Sequence, residues 1–149
     1  LLAANILINN KPIISLPTRD AVLPVLATLT LANGANLSAL NNLLPQRFNY
    51  SDRLKNITKA QSAPLIELGK NNPAELMGKL CLNEYSVSKA DTTDGVRLTL
   101  TSGDIIHLRP SGNAPELRCY TESSNASNAK ALALNVLNKV QSYVEHTVS

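Results

Sequence analysis

His107-Leu-Arg-Pro-Ser-Gly-Asn-Ala-Pro-Glu-Leu-Arg-Cys-Tyr120 sets two extended apolar runs, Ile105 to Leu108 and Leu117 to Tyr120, on either side of a tight Pro-Ser-Gly-Asn-Ala-Pro turn. That pattern is a stiffened β-hairpin. Pro110 and Pro115 restrict the loop, so less entropy is lost when it closes on something. Gly112 lacks a Cβ, which lets backbone come close to a ligand and allows φ > 0. Ser111 and Asn113 add short hydrogen-bonding side chains, and the loop N–H groups can turn inward as an anion nest. Arg109 stands at one edge of the turn and Arg118 at the other. Two guanidinium forks beside one nest suit a dianionic phosphate, because Arg pairs with phosphate oxygens bidentately. The competing reading is a proline-rich turn with solvated arginines, since Gly, Pro, Ser and Asn are ordinary turn residues.

Outward from the hairpin, Tyr85 to Ala90, Val96 to Leu100, Ile105 to Arg109 and Leu117 to Glu122 read as four strands. Asp94-Gly95 and Ser102-Gly103-Asp104 supply the turns between them. Ala63 to Leu68 and Pro73 to Leu82 read as helices, with Pro73 at a helix start and Gly69 between the two. A last helix, capped within Ser124 to Ser127, runs to about Glu145 with Leu132, Val136, Val140 and Tyr143 or Val144 as its buried stripe. The expected fold is α+β: a two-layer, four-stranded antiparallel sheet with helices on one side. Upstream, Leu1 to Ile14 is strand material broken by a turn at Asn9 to Pro12. A helix over 20–32 follows, capped by Thr18 or Asp20 with Pro24 in its first turn, then a shorter helix over 36–44. Arg47 to Leu54 is extended. The apolar start reads as the inside of a strand rather than a signal peptide, and implies that more chain precedes it.

Composition narrows the function. Apolar content of 44% and charged content of 17% belong to a globular chain, and 149 residues suffice for one domain with a real core, or for one small domain plus part of another. Aromatics make up only 3%, and the basic residues behind the net charge of +3 are scattered, which argues against nucleic-acid binding. An anionic small molecule fits better. No apolar stretch has the length of a membrane span. Cys81 and Cys119 have no metal-ligand spacing and read as small buried hydrophobes in a reducing cytoplasm.

The order Arg109-Pro-Ser-Gly-Asn-Ala-Pro-Glu-Leu-Arg118 closely resembles the Arg-Pro-Ser-Gly-Thr-Glu-Pro-x-x-Arg phosphate-binding loop in the last domain of the α-D-phosphohexomutases. These are the phosphoglucomutases, phosphomannomutases and phosphoglucosamine mutases, and the Ser-Gly-Asn-Ala-Pro-Glu version is most like bacterial phosphomannomutases. Asn113 replaces the usual Thr and keeps a donor; Ala114 replaces the usual Glu and loses a carboxylate. Thr93 to Leu100 also resembles the family's Asp-Gly-x-x strand entry. The resemblance implies a TATA-binding-protein-like C-terminal domain over 55–149. Residues 1–54 would be the tail of the third, α/β mutase domain plus the hinge.

It further implies a mutase that moves phosphate between an upstream phosphoserine and a hexose phosphate, here of mannose or glucose. Mg²⁺ and a hexose bisphosphate activator would serve the whole enzyme, and upstream domains would be partners. The serine loop, the metal-binding aspartates and the sugar-reading loop have no counterpart in this chain, so no catalytic residue or metal ligand is expected in it and the isolated chain should be inactive. Arg109, Ser111, Gly112 and Asn113, with Arg118 second to them, would grip the phosphate that is not reacting. The alternatives are a piece of a phosphoglucomutase or phosphoglucosamine mutase, or a non-catalytic module for phosphoryl ligands.

Other candidates have plainer readings. His107 lies two residues before Arg109 and so shares its strand face, where it is a phosphate contact, a proton carrier or a structural histidine. His146 belongs to a fraying tail. Asp91, Asp94 and Asp104 sit at turns, which Asp favours for its own hydrogen bonding. Arg19 with Asp20, and Asp52 with Arg53, read as local ion pairs. The helices over 20–32 and 36–44 carry apolar faces without a sheet, which favours self-association.

Overall fold

A computed structural model describes residues 7–8, 10–12, 21–43 and 45–147. Their contacts divide the chain into two units that meet between Gln46 and Arg47.

In the first unit, β1 (Leu7–Ile8) and β2 (Lys11–Pro12) pair antiparallel around Asn10, whose φ of 61° suits Asn. The expected caps Thr18 and Asp20, and the Arg19–Asp20 pair, lie outside the described residues. Helix α1 (Val22–Ala32) begins at Ala21 with no side-chain cap and stops at Asn33, which is left-handed and returns its N–H to Leu29 and Thr30. The shorter helix expected over 36–44 is a 3-10 helix, Leu37–Leu43. Asn36 accepts both the N–H and the hydroxyl of Ser38, which tightens that first turn. Of α1 only Ala32 is buried, while Val22, Val25, Leu26, Leu29 and Leu31 stay exposed.

The second unit is the expected two-layer α+β fold with one strand more than the sequence pattern suggests. Five strands run antiparallel: β3 (Phe48–Lys55), β4 (Val87–Asp91), β5 (Val96–Leu100), β6 (Ile105–Pro110) and β7 (Glu116–Ser123). Their spatial order is β3-β7-β6-β5-β4. The segment read only as extended is thus an edge strand, paired with β7 along its whole length from Phe48↔Ser123 to Lys55↔Glu116. The expected division between residues 54 and 55 therefore cuts through the end of a paired strand, and the contacts place 47–54 with the sheet.

Alternation gives the sheet two unlike faces. Val96, Leu98, Leu100, Ile106, Leu108, Leu117 and Cys119 point to one side and are buried. There they meet α2 (Lys59–Asn71), α3 (Pro73–Lys79) and α4 (Ala126–Thr147), whose Leu65, Ile66, Leu76, Met77, Val136 and Val140 complete the core. Burying one such side chain contributes about 1.5–3 kcal/mol. Helix α2 starts four residues before the expected Ala63, because Thr58 and Gln61 form a reciprocal capping box, and it runs through Pro64. Helix α3 ends at Lys79 rather than Leu82, since Cys81 takes φ 51° and sends its N–H back to Gly78. Asn125 caps α4, accepting the Asn128 N–H at 2.8 Å.

The two cysteines differ. Cys119 is buried as expected, but Cys81 is exposed at its turn. Both are free thiols. Burial, helped by the Asp52 charge beside it, pushes the Cys119 thiol up to about 12. Among the described residues no single helix is long and apolar enough to cross a membrane.

Candidate anion-binding site

The loop between β6 and β7 is held by its own backbone. The Ser111 N–H donates to the Glu116 carbonyl at 2.8 Å, and the Glu116 N–H donates to Ala114. The Ile57 N–H donates to the Pro115 carbonyl at 3.0 Å, fixing the loop to the connection between β3 and α2. Pro110 and Pro115 therefore frame a turn braced from a second element, which is stiffer than proline alone provides.

Ser111, Gly112, Asn113, Ala114 and Pro115 line a concavity of about 350 Å³ together with Thr58 and Lys59 from the start of α2. Ser111 is 5% exposed, and its Oγ accepts a long 3.4 Å bond from the Asn113 N–H. As an acceptor there, the hydroxyl keeps its own proton to donate. Gly112 does not use the positive φ open to it, and a Cβ built on it meets nothing within 4 Å. The space around it is open, so packing within the fold makes no demand for glycine there.

The two arginines are brought together, but on the helix-free face rather than in that concavity. Arg109 and Arg118 are cross-strand partners, and Arg118 is also opposite Arg53. Three guanidinium groups thus form a row over β6, β7 and β3, where like charges directly opposite one another are unfavourable. Two carboxylates offset this. Asp94 Oδ2 lies 2.9 Å from Arg109 Nε, and Glu116 lies 3.3 Å from Arg53 Nε and 3.9 Å from Arg118 Nε. Asp52 accepts the Arg53 backbone N–H, so the local ion pair expected between those neighbours gives way to Arg53–Glu116. Arg53, Lys55 and Arg118 line a wider depression of about 640 Å³ with Ser51, Asp52 and Tyr120.

His107 shares the face of Arg109, as its spacing implies, and the structure gives it a structural bond. Its Nε2 lies 2.6 Å from the Asp94 carbonyl oxygen, so that nitrogen carries the proton and donates, and its ring leans on Tyr120 with centroids 5.6 Å apart. His146 is exposed and donates from Nδ1 to the Ser142 carbonyl one turn back. Asp91 accepts the Thr93 N–H, which holds its carboxyl below the usual range. Among the described residues no three His, Cys, Asp or Glu side chains converge in a way that could hold a metal ion.

Residues 51–139 match the family model for the phosphoglucomutase/phosphomannomutase C-terminal domain. The chain belongs to the phosphoglucomutase/phosphomannomutase family. It is 39% identical over 142 residues to a phosphomannomutase of Salmonella muenchen, covering 95% of this chain. It is 36% identical over 146 residues to a phosphomannomutase of Sinorhizobium fredii (strain NBRC 101917 / NGR234), covering 93% of it. In both cases the match takes in 30% of the relative's length. The five-stranded unit is accordingly the C-terminal domain of this family, matched from within β3 to well inside α4.

Three neighbours of the loop were not legible as site residues. Lys59 and Thr58 are remote in sequence, and the Ile57–Pro115 bond ties the segment just before them to the loop. Asp94 carried a visible signal, the Asp-Gly pair before β5, but that signal speaks equally for an ordinary turn.

Proposed function

We propose that this chain is the phosphate-gripping part of a phosphomannomutase-like enzyme, holding whichever phosphate of a hexose phosphate or bisphosphate is not reacting. The observation that carries the reading is the braced 111–115 concavity. It offers the Ser111 hydroxyl, the Gly112 backbone and Asn113 beside Lys59, with Arg109 and Arg118 at the base of the same hairpin. Binding energy from a remote phosphate positions the reacting hydroxyl, and a mobile domain lets the intermediate turn over. Arg109 is the main charge partner, Ser111 and Asn113 are side-chain donors, Gly112 gives close backbone access, and Arg118 adds charge. The first unit is the tail of the preceding α/β domain. Catalytic serine, sugar recognition and Mg²⁺ belong to upstream domains; among the described residues here no group of His, Cys, Asp or Glu fits a metal ion. The 149-residue chain alone does not interconvert hexose phosphates.

The test is a titration of the chain with inorganic phosphate and with mannose 1-phosphate, following amide shifts. Shifts centred on 111–115 and Lys59, fading with added salt, are expected. Hydrogen bonds to charged groups contribute roughly 1.5–3 kcal/mol each. In the intact protein Arg109→Ala therefore lowers kcat/KM by about ten- to a few hundred-fold, and Ser111→Ala costs less. Shifts clustered elsewhere, or an Arg109→Ala variant without effect, would leave the loop as no more than a stiff turn.

A further inference from the structure

Arg109 is a flexible, 44% exposed side chain next to another cation, and something must keep it over the hairpin. Left to itself it would swing away from Arg118, the like charge opposite it. The turn before β5 supplies the restraint. Gly95 has φ +79°, and a Cβ there would collide with the Leu108 carbonyl oxygen and come within 3.1 Å of Arg109 Cα. The backbone of the turn therefore lies directly against the backbone of Arg109. His107 ties the same turn down by donating to the Asp94 carbonyl. Held from both sides, Asp94 places its carboxylate beside Arg109 Nε.

We propose that Asp94 is the positioning residue for Arg109, fixing its guanidinium so that the edge formed by the two terminal nitrogens faces outward for bidentate pairing with a phosphate. The proposal rests on the phosphate reading given above. It turns on which nitrogen Asp94 takes. The carboxylate approaches at Nε, 2.9 Å from Oδ2, and the terminal pair of Arg109 makes no hydrogen bond to any other described residue. A phosphate can then use the fork edge without displacing Asp94. Glu116 treats Arg53 and Arg118 in the same way, approaching each at Nε. A carboxylate near an anion site also repels the anion, so positioning and repulsion oppose one another. Asp94 is 58% exposed and its field is screened by solvent and salt, whereas the freedom of an unrestrained arginine is not screened. Positioning wins.

The experiment uses the 149-residue chain and its Asp94→Ala, Asp94→Asn and Arg109→Ala variants, singly and combined, with inorganic phosphate as the probe. Both variants at 94 keep the backbone carbonyl that His107 binds, and circular dichroism checks the fold. Ordering one long side chain corresponds to roughly a three- to tenfold change in affinity. Asp94→Ala is expected to weaken phosphate binding by that factor, Asp94→Asn by less, and neither to matter once Arg109 is alanine. ¹⁵N relaxation of the Arg109 Nε–H, without ligand, should show it ordered in the parent and mobile in Asp94→Ala. Tighter or unchanged phosphate binding by Asp94→Ala overturns the proposal, as does a loss that persists without Arg109. If the parent binds no phosphate, the functional reading falls alone; the relaxation comparison still decides whether Asp94 restrains Arg109, and equal mobility overturns that too.

Discussion

Three glycines of the sheet unit form a graded series. At Gly95 an alanine meets two costs. Its φ of +79° is left-handed, which costs a residue with a Cβ roughly 1–2 kcal/mol. Its Cβ also runs into the backbone of Leu108 and Arg109. Backbone cannot rotate aside as a long side chain can, so β5 and β6 must part, at roughly the 1–3 kcal/mol typical of overpacking. The sum is about 2–5 kcal/mol. Gly103 has φ +85° but nothing within 4 Å, so Gly103→Ala should cost only the first part, about 1–2 kcal/mol. Gly112 has neither problem, and Gly112→Ala should fall within about 0.5 kcal/mol of the parent, as surface changes do. Urea unfolding followed by circular dichroism, with the slopes checked for equality, gives the three values directly. For a unit of this size Gly95→Ala should also melt roughly 10 °C or more below the parent. A Gly95→Ala variant as stable as Gly103→Ala would show that the strands have slack where the structure places contact. Gly112→Ala carries a second readout, since it should weaken phosphate binding while leaving stability alone.

Other outcomes follow from the same core. The Cys119 thiol keeps its proton to about pH 12 when folded, while the unfolded thiol loses it near its ordinary 9.0. Between those values the folded chain binds one proton more, so stability should fall as pH rises from 9 to 12, by at most about 1.4 kcal/mol per pH unit. Cys119→Ala should lose that slope. A thiol reagent should label exposed Cys81 rapidly and Cys119 only on unfolding. The Thr121 hydroxyl donates to the Ala129 carbonyl at 2.7 Å, so Thr121→Val should cost about 0.5–1.5 kcal/mol. The buried Ser123 hydroxyl has no hydrogen-bond partner among the described residues, so Ser123→Ala should be neutral or stabilising by about 1 kcal/mol in the same denaturation assay. Amide exchange should be fast across Val22–Ala32, a short helix with one buried residue, and slow in β5 to β7. Sedimentation should show concentration-dependent association through its exposed apolar residues, and equal protection of both units in a dilute monomer would contradict the pair of expectations.

The strands β5 and β7 were legible because each alternates strictly between buried and half-exposed residues, as Val96, Leu98 and Leu100 do against Arg97 and Thr99, and β6 keeps the same rhythm from Ile106 to Arg109 after a buried Ile105. The loop was legible because prolines, glycine and short polar residues fall between two such runs. Strand β3 was read as extended but not as part of the sheet. Asp52 stands on the same side as Tyr50 and Leu54, which breaks the apolar rhythm, and an edge strand tolerates it. The start of α2 was obscured by Pro64, although Thr58 and Gln61 stand at the local spacing of a capping box. The site was half legible. Ser111 and Asn113 share a concavity as the motif suggests, but Lys59 joins through tertiary contact, and Arg109 is held by a residue that reads as plain turn chemistry.

The sheet order sets a timetable for making this unit on the ribosome. Strand β3 leaves first, yet its neighbour is the last strand, and the Thr121 hydroxyl that reaches the Tyr50 carbonyl is 71 residues away. At roughly 5–20 residues per second, Phe48–Lys55 is out for about 4–14 s before β7 exists. The run β4 to β7 has short local connections and can form as a meander, leaving β3 to add to a waiting edge. Throughout that interval β3 is an unpaired strand in a crowded cell, and Asp52, Arg53 and Lys55 are what make it a poor template for a second chain. Substitutions that remove those charges should therefore leave the finished fold nearly as stable while lowering the fraction of chains that reach it.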